Sequence, residues 1–146
     1  MLLLTDLDTP ASPGFTEIKE AIFTGLQKSP YRIEFYDESQ QLNLFPDEDS
    51  QRRFREEFIR KYSDRRPDVI IAAGTGSLNV LADLHEGMFR TIPIIFCAVL
   101  GEIPEQLKDD VRITGVVGTL QPEETLKAGP QSDIGFLQTH PTIRTR

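Results

Sequence analysis

The chain has 146 residues, 38% hydrophobic and 27% charged, with a formal net charge of −7; that length supports one domain around one core. The acidic balance argues against a nucleic-acid partner, which would favour a basic face, and no apolar run reaches the roughly 20 residues of a membrane span. The opening Met-Leu-Leu-Leu-Thr-Asp lacks the basic region and small-residue cleavage site of a signal peptide, while a single cysteine, Cys97, excludes an intramolecular disulfide and any Cys-rich metal site.

Leu2, Leu3 and Leu4 form a short apolar run that breaks at Asp6, Asp8, Pro10 and Pro13, which reads as a buried strand and a loop. Phe15, Ile18, Ile22 and Leu26 recur at helical spacing, so residues 15–28 read as an amphipathic helix ended by Ser29-Pro30. Tyr31, Ile33 and Phe35 alternate with Arg32, Glu34 and Tyr36, and this period of two predicts a strand over 31–36. Residues 41–49 read as a loop. Phe54, Phe58 and Tyr62 are spaced by four, placing a second helix over 49–63.

Residues 69–73, Val-Ile-Ile-Ala-Ala, are continuously apolar, as suits a parallel strand covered on both faces. Gly74-Thr75-Gly76-Ser77 reads as a tight turn, and Leu78, Leu81, Ala82 and His85 mark a third helix. Residues 92–99 predict a fourth strand, 103–110 a polar connection with one helical turn, and 113–117 a fifth strand. Pro122, Glu123 and Glu124 open a fourth helix over 122–127, with proline and acids in its first turn. Strands alternating with helices predict a three-layer αβα sandwich with a mostly parallel five-stranded sheet. The expected order is the flavodoxin-like 2-1-3-4-5, with 31–36 at the edge. This α/β lobe spans 1–128; residues 129–146, with Gly129, Pro130, Gly135 and Pro141, show no clean period and read as an irregular tail.

In open parallel sheets, ligands bind beyond the carboxyl ends of the strands. Those ends fall at Asp6 to Asp8, Gly74 to Ser77, Ala98 to Gly101 and Val117 to Thr119. The Gly74–Ser77 turn is the most informative, because glycine permits close backbone approach and free N–H groups at a helix start suit a carboxylate or phosphate. The plainer reading is a helix cap by Thr75 or Ser77. As a dinucleotide fingerprint it fails, since Asn79 stands at the third glycine position and the turn follows the third strand. Asp6 stands where it can hydrogen-bond a ligand amine; Asp8 reads as an Asx turn. A phosphorylated receiver would need an aspartate after the third strand, where Ala72-Ala73-Gly74 stands instead. Cys97 reads as a small buried hydrophobe. Arg52, Arg53 and Arg55 with Glu56 and Glu57 read as a solvated helix face. His85 and His140 lie far apart in sequence, which argues against zinc. No catalytic constellation, metal or cofactor is expected.

Residues 43–51 (Asn-Leu-Phe-Pro-Asp-Glu-Asp-Ser-Gln), Phe54, Phe58, Lys61-Tyr62, 66–72, 73–78, 92–99 and 113–117 together resemble the ABC-transporter substrate-binding-protein-like family, in the branch fused to bacterial sensor kinases and diguanylate cyclases. The resemblance implies the N-terminal lobe of a type I periplasmic-binding-protein fold, in which a small, amino-acid-like ligand is trapped between two lobes. It places Thr75, Gly76 and Ser77, with Gly74, at the ligand carboxylate, and the loop after the first strand at the same cleft, with Asp6 and Ala98 completing the expected ligand set. It also implies a periplasmic or extracytoplasmic parent protein, and a permease or sensor kinase as partner. A full member is about twice this length, so the second lobe is expected outside this chain and 129–146 would be a truncated crossover. Residues 5–13 carry none of the aromatic and histidine residues frequent at that loop in the sensor branch. The alternatives are a flavodoxin-like nucleotide- or flavin-binding domain, and a half-domain that pairs with a second copy of itself.

Overall fold

Apolar strands stack side by side because their backbone groups must pair once the side chains leave water. In the computed structural model, which describes residues 1–6, 13–41, 45–85, 87–118 and 139–140 (backbone alone for Pro13, Thr139 and His140), five strands run parallel: β1 (Leu2–Thr5), β2 (Tyr36–Ser39), β3 (Ile70–Ala73), β4 (Ile94–Leu100) and β5 (Ile113–Gly118). A two-residue strand, β6 (Thr139–His140), pairs antiparallel with β5, so the order is β2-β1-β3-β4-β5-β6. The helices are α1 (Pro13–Gln27), α2 (Glu48–Tyr62), α3 (Thr75–Leu84) and the single turn α4 (Glu105–Lys108). The expected α/β architecture and the 2-1-3-4-5 order of the parallel strands are both present. None of the helices described is long and apolar enough to cross a membrane.

Strand alternation divides the core in two. Leu2, Leu4, Ile70, Ala72, Ile94 and Phe96 point to the face covered by α2, α3 and α4, where they meet Phe58, Tyr62, Leu78, Leu81 and Leu107. Leu3, Ile71 and Ala73 point to the opposite face, against Phe15, Ile18 and Ile22 of α1. Helices on both faces explain why β1 and β3 are continuously apolar. Phe58 anchors the larger half, with ring centroids 5.8 Å from Phe54, 5.0 Å from Tyr62 and 5.4 Å from Phe89. Asp47 starts α2, its carboxylate accepting from the Ser50 N–H at 2.9 Å.

The edge strand departs from expectation. The alternating residues 31–35 are not in the sheet; the ladder begins at Leu2↔Tyr36 and continues through Asp37, Glu38 and Ser39. The ladder begins where the Tyr36 N–H donates to the Met1 carbonyl at 3.0 Å, with the Met1 ammonium donating to the Glu34 carbonyl at 2.8 Å just ahead of it; alternation measures propensity and does not by itself place a residue in a ladder. Phe35 packs on Phe23 of α1 at 4.3 Å, and Tyr31 stands exposed. The acids of β2 are tolerated because its outer edge is open and Lys19 and Lys61 pair with Asp37 and Glu38. The third helix also starts earlier than expected, at Thr75, so the glycine turn is itself the first helical turn. The helix expected over 122–127 lies outside the described residues, as does the tail over 129–146 apart from β6.

Removing the central ring tests this core. Phe58→Ala is expected to destabilise the fold by about 3–5 kcal/mol, read as a shift in the denaturant midpoint with unchanged slope; a shift below about 1 kcal/mol contradicts the packing described.

Candidate functional site

All four residues recorded with positive φ among the described residues lie at the carboxyl edge of the sheet: Gln41 (51°) after β2, Gly74 (114°) after β3, and Ala98 (53°) and Gly101 (90°) at the end of β4. The two glycines adopt it freely, whereas Gln41 and Ala98 are strained there, and such strain gathers at functional sites. Ala98 sits where the β4–β5 register shifts between Phe96 and Val99, so a β-bulge turns the strand there.

The first turn of α3 meets this edge. A helix start presents amides with no partner inside the helix, together with the positive end of its dipole. Here the carboxylate of Asp6, at the end of β1, takes them. Its Oδ2 accepts from the Gly76 N–H at 2.8 Å; its Oδ1 accepts from the Ser77 N–H and from the Ser77 hydroxyl, the latter at 2.6 Å. Gly74 makes the approach possible, since a Cβ there would stand 2.3 Å from the Asp6 carboxyl carbon and would have to adopt a positive φ. The Ser77 hydroxyl in turn accepts from Gln40 Nε2 at 3.1 Å, and both residues are buried. The Thr75 hydroxyl is shared with the end of β4, accepting from the Leu100 N–H at 2.9 Å and donating to the Leu100 carbonyl at 3.3 Å.

Five of the six expected ligand residues are thereby brought together: Asp6, Gly74, Thr75, Gly76 and Ser77. Ala98 lies within the bulge, between the Cys97 carbonyl that accepts from Gly74 N–H at 3.0 Å and Leu100, which holds Thr75. The Gly76 and Ser77 amides, expected to seat a ligand carboxylate, hold the chain's own carboxylate, that of Asp6. Neither Thr75 nor Ser77 supplies the cap; Asp6 does. Asp8 and the rest of the loop to Pro10 lie outside the described residues.

Gln40 was not foreseen. With the edge strand placed over 31–36 and the loop over 41–49, it belonged to neither; with β2 at Tyr36–Ser39 it stands just past a strand's carboxyl end, beside the site. A polar residue one step beyond an edge strand was the signal available. Gln40 also lines a cavity of about 570 Å³ between the end of β2 and α2, walled by Phe45, Phe54 and Arg53. Cys97 packs against the Leu3, Ile71 and Ala73 cluster, and burial pushes its thiol above the usual range, the opposite of an activated nucleophile. His85 ends α3 at the far edge of the sheet. Among the described residues, no group of three or more His, Cys, Asp or Glu is placed to hold a metal ion.

Comparison with known proteins returns no matching family model, no matching curated protein and no matching solved structure.

Two outcomes test the geometry. Asp6→Ala strands two amides and a buried hydroxyl, so it is expected to cost about 2 kcal/mol in unfolding measurements; a cost near zero shows the cap to be absent. Ala98→Gly relieves the left-handed strain and is expected to raise stability by about 0.5–1 kcal/mol, a loss of stability being the contrary result.

Proposed function

We propose that this chain is the small-molecule-binding lobe of an ABC-type solute-binding or sensor protein, acting outside the cytoplasm without catalysis. The observation that carries the reading is the hydrogen-bonded chain Gln40–Ser77–Asp6 at the carboxyl edge of a parallel sheet, beside a cavity of a small metabolite's size. The resemblance across residues 1–128 supplies the family and the amino-acid-like ligand class.

The Asp6 cap changes how such a ligand would be held. A ligand carboxylate on the α3 amides would have to displace Asp6 and leave that carboxylate beside another negative charge. A ligand ammonium has the easier role, because Oδ2 accepts one bond from Gly76 and a carboxylate oxygen has room for two. The proposed orientation therefore puts the ligand's amino group toward Asp6, and its remaining groups toward Gln40 and a second lobe. Closure of that lobe would complete the contacts, ligand shifting the open–closed balance by its preference for the closed form. Onward coupling would be to a permease or a sensor kinase. The same cap weakens the flavodoxin-like alternative, since a phosphate at this helix start would face Asp6.

Amino acids and simple amines titrated against the chain, followed by amide NMR shifts, test the reading. Expected are shifts at Asp6, Gln40 and Ser77 with affinity weaker than about 1 μM, weakened at least about tenfold by Asp6→Asn. Sub-micromolar affinity contradicts the single-lobe reading. No shift at these amides at roughly 10 mM ligand, or a flavin or nucleotide released on denaturation, contradicts the amine-binding reading.

A further inference from the structure

The amino edge of the sheet, opposite the candidate site, holds a hollow that the proposed function does not use. Residues 31–36, most of which run ahead of the sheet, form one wall, and residues 65–69, which lead from α2 into β3, form the other. Backbone bonds to the start of the chain fix both walls: the Tyr36 N–H donates to the Met1 carbonyl and the Leu2 N–H to the Val69 carbonyl, each at 3.0 Å. The cavity between them has a volume of about 980 Å³. Leu26, Ile33 and Val69, all half-buried, give it apolar surface. Tyr31 joins the lining while 79% exposed, its backbone N–H donating to the Ser29 hydroxyl at 3.2 Å. Three guanidinium groups, Arg32, Arg65 and Arg66, face two carboxylates, Glu34 and Asp68, in a chain of net charge −7. Arg66 is committed, donating to the Met88 carbonyl and, at 2.8 Å, to the Thr91 hydroxyl. Glu34 accepts from the Tyr36 hydroxyl at 2.7 Å. That bond raises the phenol above its usual range, while Arg65 on the facing wall acts in the opposite sense, so the two walls interact across the hollow. Among the described residues neither Arg32 nor Arg65 holds an ion pair.

We propose that this amino-edge cavity binds small aromatic carboxylates, at a site separate from the one at the carboxyl edge. Its volume is that of a small-molecule site, and its lining combines apolar surface with a few placed charges. A guanidinium is planar and always charged, and it meets a carboxylate through two parallel N–H···O bonds. Arg32 and Arg65, on facing walls, supply this chemistry without first giving up an ion pair. The Tyr31 ring and the neighbouring Ile33 and Leu26 side chains offer a flat or apolar body something to pack on, and aromatic pairs gain beyond simple burial. Glu34 and Asp68 set the upper limit on charge, because the further negative groups of a polyphosphate would face them. A single carboxylate on an aromatic ring fits the whole lining. The two edges of the sheet thereby present opposite charge: the Asp6 carboxylate at one, the unpaired guanidinium groups at the other. This inference is independent of the amine-binding reading.

Benzoate titrated against the full chain, followed by amide NMR shifts, tests the site, with benzyl alcohol as the uncharged probe of the same shape. Saturable benzoate shifts are expected at Tyr31, Arg32, Ile33 and Arg65, with Asp6, Gln40 and Ser77 unmoved. Benzyl alcohol should bind at least about fivefold more weakly, and Arg32→Gln should weaken benzoate binding by a similar factor. No shift at the four amides up to roughly 20 mM benzoate, or shifts confined to the carboxyl edge, overturns the proposal. So does equal affinity for benzyl alcohol, a comparison made on the wild type alone and independent of how the variant folds. A folded Arg32→Gln that binds benzoate as the wild type does also overturns it.

Discussion

The Asp6 carboxylate on the first turn of α3 is the interaction on which the candidate site depends. It joins residues about 70 positions apart in the chain and brings the end of β1 against the helix that follows β3. Around it the other strand ends are tied in. Gln40 reaches from β2 through the Ser77 hydroxyl, and Thr75 reaches to β4 through Leu100. A helix start of this kind attracts an anion; when the chain supplies its own, the charge presented to an incoming molecule reverses from positive to negative. A donor would meet this point more favourably than an acceptor.

The architecture makes such an arrangement natural. Right-handed crossovers put α1 on one face and α2, α3 and α4 on the other, so every strand of the parallel set ends at the same edge. Backbone strain gathers there as well, at Gln41 and Ala98. Hydrophobic burial on both faces of β1 and β3 supplies the stability against which strain and desolvated polar groups are held. α3 spans the sheet from this edge to the other, with a carboxylate from another element at each end: Asp6 directly, and Asp110 through His85.

How much of this could be read in the residues depended on the range of the interaction. The apolar runs at Leu2–Leu4, 69–73 and 92–99, and the helical spacing of Phe54, Phe58 and Tyr62, report burial locally, and they led to the right layers and strand order. The edge strand was misplaced because alternation at 31–36 measures propensity, whereas the ladder is set by where β1 offers partners. The candidate turn was found because glycines flanked by hydroxyls after an apolar strand are a local signal. Its occupant was not, because nothing around Asp6 indicates which distant amides it will meet. Gln40 was lost with the strand that carries it. The contact of His85 with Asp110 was invisible for the same reason as the cap: the two meet only once α3 and β5 are packed on one sheet.

Amide hydrogen exchange at Gly76 and Ser77 tests the central claim most directly. These are early positions of a helix, where N–H groups ordinarily lack a partner and exchange quickly. With Asp6 capping them, both amides should be protected in the free wild-type chain, and Asp6→Ala should remove that protection while the amides of β1 and β3 remain slow. Rapid exchange at Gly76 and Ser77 in the wild type, or protection that survives Asp6→Ala, would contradict the account.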